Sequence, residues 1–113
     1  MKKIIFSLMI FSLSLNLYAL TKNEKLFLNS ARFGDIETVK ELINSEIDID
    51  IQDQEGFTAL MYASALKKTF IVMTLLDYGA DRYIKNDIGE TAIDMAKNLK
   101  NYEIMVYWKA MNK

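Results

Sequence analysis

Cysteine, histidine and proline are all missing from this chain of 113 residues, and glycine occurs only four times. Without cysteine there is no disulfide, no thiol nucleophile and no thiolate metal site. Without histidine the commonest general base and metal ligand is lost. The two absences remove most small-enzyme and metalloprotein readings. What remains supplies no nucleophile beside a base, no glycine-rich phosphate loop and no metal set, so no catalytic residue, cofactor or metal is expected. Ser30 and Ser64 are lone hydroxyls in helical stretches and read as small residues at close helix contacts.

What is present is a globular composition, 51% apolar and 26% charged, of a length that allows one domain at most. The N-terminus reads as an export signal. Lys2 and Lys3 precede an apolar run from Ile4 to Leu17, and Leu17-Tyr18-Ala19 offers a cleavage site. Residues 1–19 are therefore expected to be a signal peptide and residues 20–113 the folded domain, periplasmic or secreted after bacterial export. The rival is an uncleaved anchor, for which the run is short. No cysteine near the cut allows lipid attachment, and no stable membrane insertion is expected after cleavage. Residues 20–113 carry 12 basic and 15 acidic side chains, a balance that argues against nucleic acid as a partner. Residues 20–60 hold 4 basic and 9 acidic groups, residues 61–113 hold 8 and 6. Such a dipole can orient a partner on approach.

Gly56-Phe57-Thr58-Ala59-Leu60-Met61-Tyr62-Ala63 recurs as Gly89-Glu90-Thr91-Ala92-Ile93-Asp94-Met95-Ala96, 33 residues later. A fixed period of this length marks a stack of like supersecondary units, which works by its surface and has no single reaction centre. In the middle unit Thr58–Leu66 reads as a helix capped by Thr58, with Leu60, Ala63 and Tyr62 as its buried side. Lys67-Lys68 is the turn. Phe70–Tyr78 is a second helix with Ile71, Val72, Leu75 and Leu76 at helical spacing, stopped by Gly79. Shifting back by 33 gives helices over Glu24–Phe33 and Ile36–Asn44, with Leu26, Phe27, Ala31, Val39, Leu42 and Ile43 inward. Shifting forward gives Thr91–Leu99 and Tyr102–Met111.

These units resemble the ankyrin repeat. Its Thr-Pro-Leu-His-x-Ala hallmark is similar to Thr58-Ala59-Leu60-Met61-Tyr62-Ala63 and Thr91-Ala92-Ile93-Asp94-Met95-Ala96. Ala31 to Ile43 resembles the family's helix-turn-helix, and Tyr78-Gly79-Ala80-Asp81 its second-helix exit. The resemblance covers residues 22–113. It implies an all-α solenoid of about three helix-turn-helix repeats, with an atypical first and a capping last repeat. Alanine replaces the family's proline, and Met61 and Asp94 replace its histidine. Glu46, Lys67 and Lys100 stand at usual glycine positions, where each would hold a left-handed backbone.

The resemblance also implies a non-enzymatic protein-binding module that uses its concave face, with an accessory or inhibitory role and a monomeric state. Mapped by repeat position, the contact residues are Arg32 and Phe33, then Gln54, Glu55, Phe57, Ala65 and Leu66, then Lys85, Asp87, Ile88, Glu90, Asn98 and Leu99. Phe33, Phe57, Leu66, Ile88 and Leu99 are apolar there, as at protein contacts; Phe57 is read as lying outside the core. A carrier of haem or another apolar ligand is the alternative, since Met105, Tyr107, Trp108 and Met111 crowd the last helix. Trp108 reads first as the closure of the core. The carboxylates of Asp48 to Glu55 invite a calcium loop, but the sixth position lacks glycine and the twelfth is Ala59 where glutamate is needed. A turn whose aspartates bond to the backbone is the expected reading.

Overall fold

The computed structural model describes residues 20–111; the expected signal peptide, residues 1–19, lies outside the described residues. Six helices follow one another: α1 (Lys22–Phe33), α2 (Ile36–Ile43), α3 (Ala59–Ala65), α4 (Thr69–Asp77), α5 (Ala92–Asn98) and α6 (Tyr102–Met111). They form three pairs. Within each pair α1 packs on α2, α3 on α4 and α5 on α6. Between pairs α3 lies between α1 and α5, and α4 between α2 and α6. The inner row is therefore α1–α3–α5 and the outer row α2–α4–α6.

The helices begin where side chains can satisfy free N–H groups. Thr21 and Glu24 form a reciprocal capping box on α1, the Thr21 N–H donating to Glu24 Oε2 at 2.7 Å. Thr58 Oγ1 accepts the Met61 N–H, and Thr91 Oγ1 the Asp94 N–H. Asp94 returns the bond through Oδ2, so the residue at the family's histidine position here serves as a cap. Asp35 caps α2 through Thr38, and those bonds hold its carboxyl below the usual range. α4 starts at Lys68 with no side-chain cap.

Every helix-to-helix turn needs one left-handed residue. Gly34 (φ 88°), Lys67 (φ 60°) and Lys100 (φ 56°) occupy that position 33 residues apart. Only the first is glycine, so the two lysines each hold a conformation that costs an L-residue about 1 kcal/mol. Packing of the flanking helices outweighs that cost. Glu46 (φ 66°) does the same after α2.

The core runs unbroken through all three pairs. Phe27, Val39, Leu60, Met61, Val72, Leu75 and Ile104 are essentially removed from water. Ala31, Ala63 and Ala96 are fully buried, which lets the inner helices approach. Ser30 and Ser64 are buried small residues, as expected. Trp108 is buried and closes the last pair, with Met105 and Tyr107 half-buried beside it. Leu26 corrects the sequence reading: it is exposed, and Leu28 is buried in its stead. Leu26 holds the repeat position of buried Ala59 and Ala92. Those alanines each follow a loop tip, and no described tip precedes α1. Ile43 and Tyr62 are half-buried, so the apolar face of each pair is narrower than its spacing suggested. Among the described residues no helix is long and apolar enough to cross a membrane.

Candidate functional site

The loops before α3 and α5 are built alike. In the first, the Asp53 N–H donates to Phe57 O at 3.0 Å and the Gly56 N–H to Asp53 O at 3.0 Å. In the second, the Asn86 N–H donates to Glu90 O at 2.9 Å and the Gly89 N–H to Asn86 O at 2.9 Å. The side chains repeat the pattern. Asp53 Oδ1 accepts the N–H groups of Glu55 and Phe57; Asn86 Oδ1 accepts those of Ile88 and Glu90. The two tips are then tied to each other. The Asp87 N–H donates to Glu55 O at 3.0 Å, and Gln52 Nε2 bonds to both Gly56 O (2.8 Å) and Lys85 O (3.2 Å).

The tips differ at two side-chain bonds: that of Gln52 to Gly56 O has no counterpart at Lys85, and a second is made by Tyr62. Tyr62 donates its hydroxyl to Asp53 Oδ2, whereas the residue 33 positions on is Met95. Asn86 accordingly has a buried Nδ2 with no partner among the described residues. Burial first, and then the bond to Asp53, push the Tyr62 hydroxyl up to about 12. Tyr62 therefore remains a donor at any physiological pH, and the first tip is the more firmly held.

An open groove of about 690 Å³ lies between this tip and α1. One wall carries the cations Lys25 and Arg32, with Leu20 beside them. The other carries Asp53, Gln54 and Glu55, and the floor holds Phe57 and Tyr62. The two rings are 5.1 Å apart and tilted by 30°. The Arg32 guanidinium stands 5.7 Å from the Tyr62 ring centre and 5.6 Å from that of Phe33, close enough to be held by both π faces. The groove thus offers opposite charges across an aromatic floor.

Of the residues expected at the contact face, Arg32, Gln54, Glu55 and Phe57 converge on this groove. Lys85, Asp87 and Ile88 are exposed on the adjoining tip. Glu90 is half-buried and accepts a 2.7 Å bond from Asn98. Phe33, Leu66 and Leu99 do not line the groove. They sit at the C-terminal ends of α1, α3 and α5, beside the helix-to-helix turns. Phe57 is a correction: it is half-buried against the core, because its ring packs on Tyr62. Asp53, Tyr62 and Lys25 were not expected at the site. A tyrosine whose ring is half-buried needs a partner for its hydroxyl, and that demand was the available signal.

The aspartates of the loop do as expected. Asp48 Oδ1 accepts the Asp50 N–H at 2.9 Å, and Asp50 Oδ1 accepts the Asp81 N–H at 2.8 Å across repeats. Burial raises the Asp50 carboxyl; the Asp81 bond opposes this, and the charges of Asp48 and Asp81 add to it. These oxygens are engaged in holding backbone.

A sequence profile described as ankyrin repeats (3 copies) matches residues 27–107. A human protein named ankyrin repeat, SAM and basic leucine zipper domain-containing protein 1 is 39% identical over 66 residues, which is 58% of this chain and 14% of that protein. Its counterpart in Rhinolophus ferrumequinum is 42% identical over the same length and the same shares. The chain therefore spans about a seventh of these relatives. Three stacked helix pairs, tips tied in register and a profile match over most of the chain agree that it belongs to the ankyrin-repeat family.

Proposed function

We propose that this chain is a non-enzymatic interaction module, exported to the cell envelope, that binds one partner protein through the groove and the two adjoining tips. Ankyrin repeats are protein–protein interaction modules in general. The observation that supports this use of the tips is the groove, where exposed charges of both signs flank a half-buried aromatic floor. Such a surface suits an extended partner segment that carries both charges around an apolar residue. The role is that of an accessory factor or an inhibitor of a neighbouring protein.

Arg32→Ala and Ile88→Ala test the surface. Both side chains are exposed, so each variant is expected to melt within a few degrees of the parent. Each is expected to lose about 2 kcal/mol of affinity, roughly thirtyfold, in capture from envelope extract. Phe57→Ala is expected to lower both capture and melting temperature, because its ring packs on Tyr62. Lys40→Ala, exposed on α2, is expected to change neither. Full capture by both Arg32→Ala and Ile88→Ala places the partner elsewhere.

Export has its own test. Intact mass of the protein recovered from an exporting cell is expected to correspond to cleavage after Ala19, leaving Leu20 first. A mass that still contains residues 1–19 shows an anchor.

A further inference from the structure

The helix-to-helix turns form the edge of the stack away from the loop tips, and they lie side by side. The aliphatic end of Lys68 lies 3.4 Å from where a side chain on Gly34 would begin, which joins the first and second turns. Asn101 Nδ2 donates to Ser64 O at 2.9 Å, which joins the second and third. Large apolar side chains stand out from this edge. Leu66 is 45% exposed, Phe70 76%, Leu99 51% and Tyr102 64%. The groove contacts leave all four untouched. The segments 66–70 and 97–103 carry Lys67, Lys68, Lys97 and Lys100 against Glu103 as their one carboxylate, while the first turn carries Asp35 and Glu37. Lys67, Lys68, Phe70 and Glu103 line one shallow groove of about 420 Å³.

The opposite edge has the reverse character. Loops 48–57 and 81–90 carry seven carboxylates against Arg82 and Lys85.

We propose that the second and third helix-to-helix turns dock on an anionic phospholipid surface, with Phe70, Leu66, Leu99 and Tyr102 entering the headgroup layer between Lys67, Lys68, Lys97 and Lys100. An interface of this kind needs apolar side chains and cations together, since neither alone holds a protein on a bilayer. Lysines keep their ammonium groups at headgroup level while their stems lie along apolar surface. The acidic tips are repelled by the same surface, which orients the molecule with its turns down and its partner groove free.

The absence of cysteine makes the test clean. Phe70→Cys and Ile88→Cys each carry one environment-sensitive fluorophore, on the turn edge and on a tip. The full chain is mixed with vesicles of phosphatidylglycerol and phosphatidylcholine, or of phosphatidylcholine alone. Residues 1–19 are themselves apolar and lysine-led, so the comparison between labels decides the matter, and bulk partitioning does not. The expected result is a blue shift at position 70 with the anionic vesicles only, abolished by high salt, and none at position 88. Lys67→Asn with Lys100→Asn keeps residues that tolerate a left-handed backbone and is expected to weaken that response about tenfold or more. An equal shift at both positions, an unchanged response in the double variant, or no shift with any vesicle overturns the proposal. So does a shift at position 70 that depends on protein concentration without vesicles, which assigns the edge to a second copy.

Discussion

Leu75→Asp abolishes the folded state. Leu75 is fully buried in α4, the helix that packs on α2, α3 and α6 at once. Removing a buried leucine side chain alone costs about 2–5 kcal/mol. Placing a carboxylate in the same space adds a desolvation cost. A domain of this size has only about 5–15 kcal/mol in total. Far-UV circular dichroism is expected to show no cooperative melt for the variant at room temperature. In the parent, the helical signal and the fluorescence of Trp108, the one tryptophan, are expected to melt together, since the three pairs share one core. Trp108 reports the last pair. A transition there well below that of the helices means that the pairs unfold separately and that the stack is not one unit. Leu26→Asp, on an exposed site, is expected to shift the melt only slightly.

Gly56→Ala is expected to cost about 3 kcal/mol and Gly89→Ala about 1 kcal/mol, although both glycines sit at the same repeat position. Their backbones are alike, at φ 84° and 82°, so the left-handed strain on alanine is shared. Their surroundings differ. A Cβ on Gly56 would lie 2.9 Å from Asn86 Cα and 2.9 Å from Asp87 N, both backbone atoms of the next tip. A Cβ on Gly89 meets nothing within 4 Å. The difference isolates tip-to-tip packing, because the conformational term cancels between the two. Equal losses in a denaturant titration would show that the tips are not held together in solution. The Gly56 variant is also expected to loosen the Asp87–Glu55 bond and with it the wall of the groove.

The helices and their order were legible in the chain because each unit states its structure locally. Thr58 and Thr91 cap helices with their own hydroxyls, and Ile71, Val72, Leu75 and Leu76 are all buried where their spacing put them. The lysines at positions 67 and 100 were legible as left-handed only through the period, since nothing in lysine itself asks for that backbone. The candidate site was read by repeat position alone. Repeat position marked Arg32, Gln54, Glu55 and Phe57, and these do meet. It did not mark Tyr62, whose hydroxyl finds Asp53, nor Lys25, which faces them from another unit. It put Phe33, Leu66 and Leu99 on the same concave face, and they stand at the ends of α1, α3 and α5 beside the turns.

The sequence by itself determined the helices, their caps, the period of 33 and the core positions that recur with it. These follow from hydrogen bonds and side-chain spacing within a few residues, or from comparison of one unit with the next. Only the tertiary structure decided which like positions remain unlike. Leu26 is exposed where Ala59 is buried, because no described tip precedes α1. Gly56 is crowded where Gly89 is open, because a tip follows one and none follows the other among the described residues. Phe57 and Tyr62 lean on each other, with Arg32 over the Tyr62 ring, while Glu90 and Met95, at their positions, do not form such a pair. A repeat fixes what each unit is, whereas burial depends on which neighbour stands on either side.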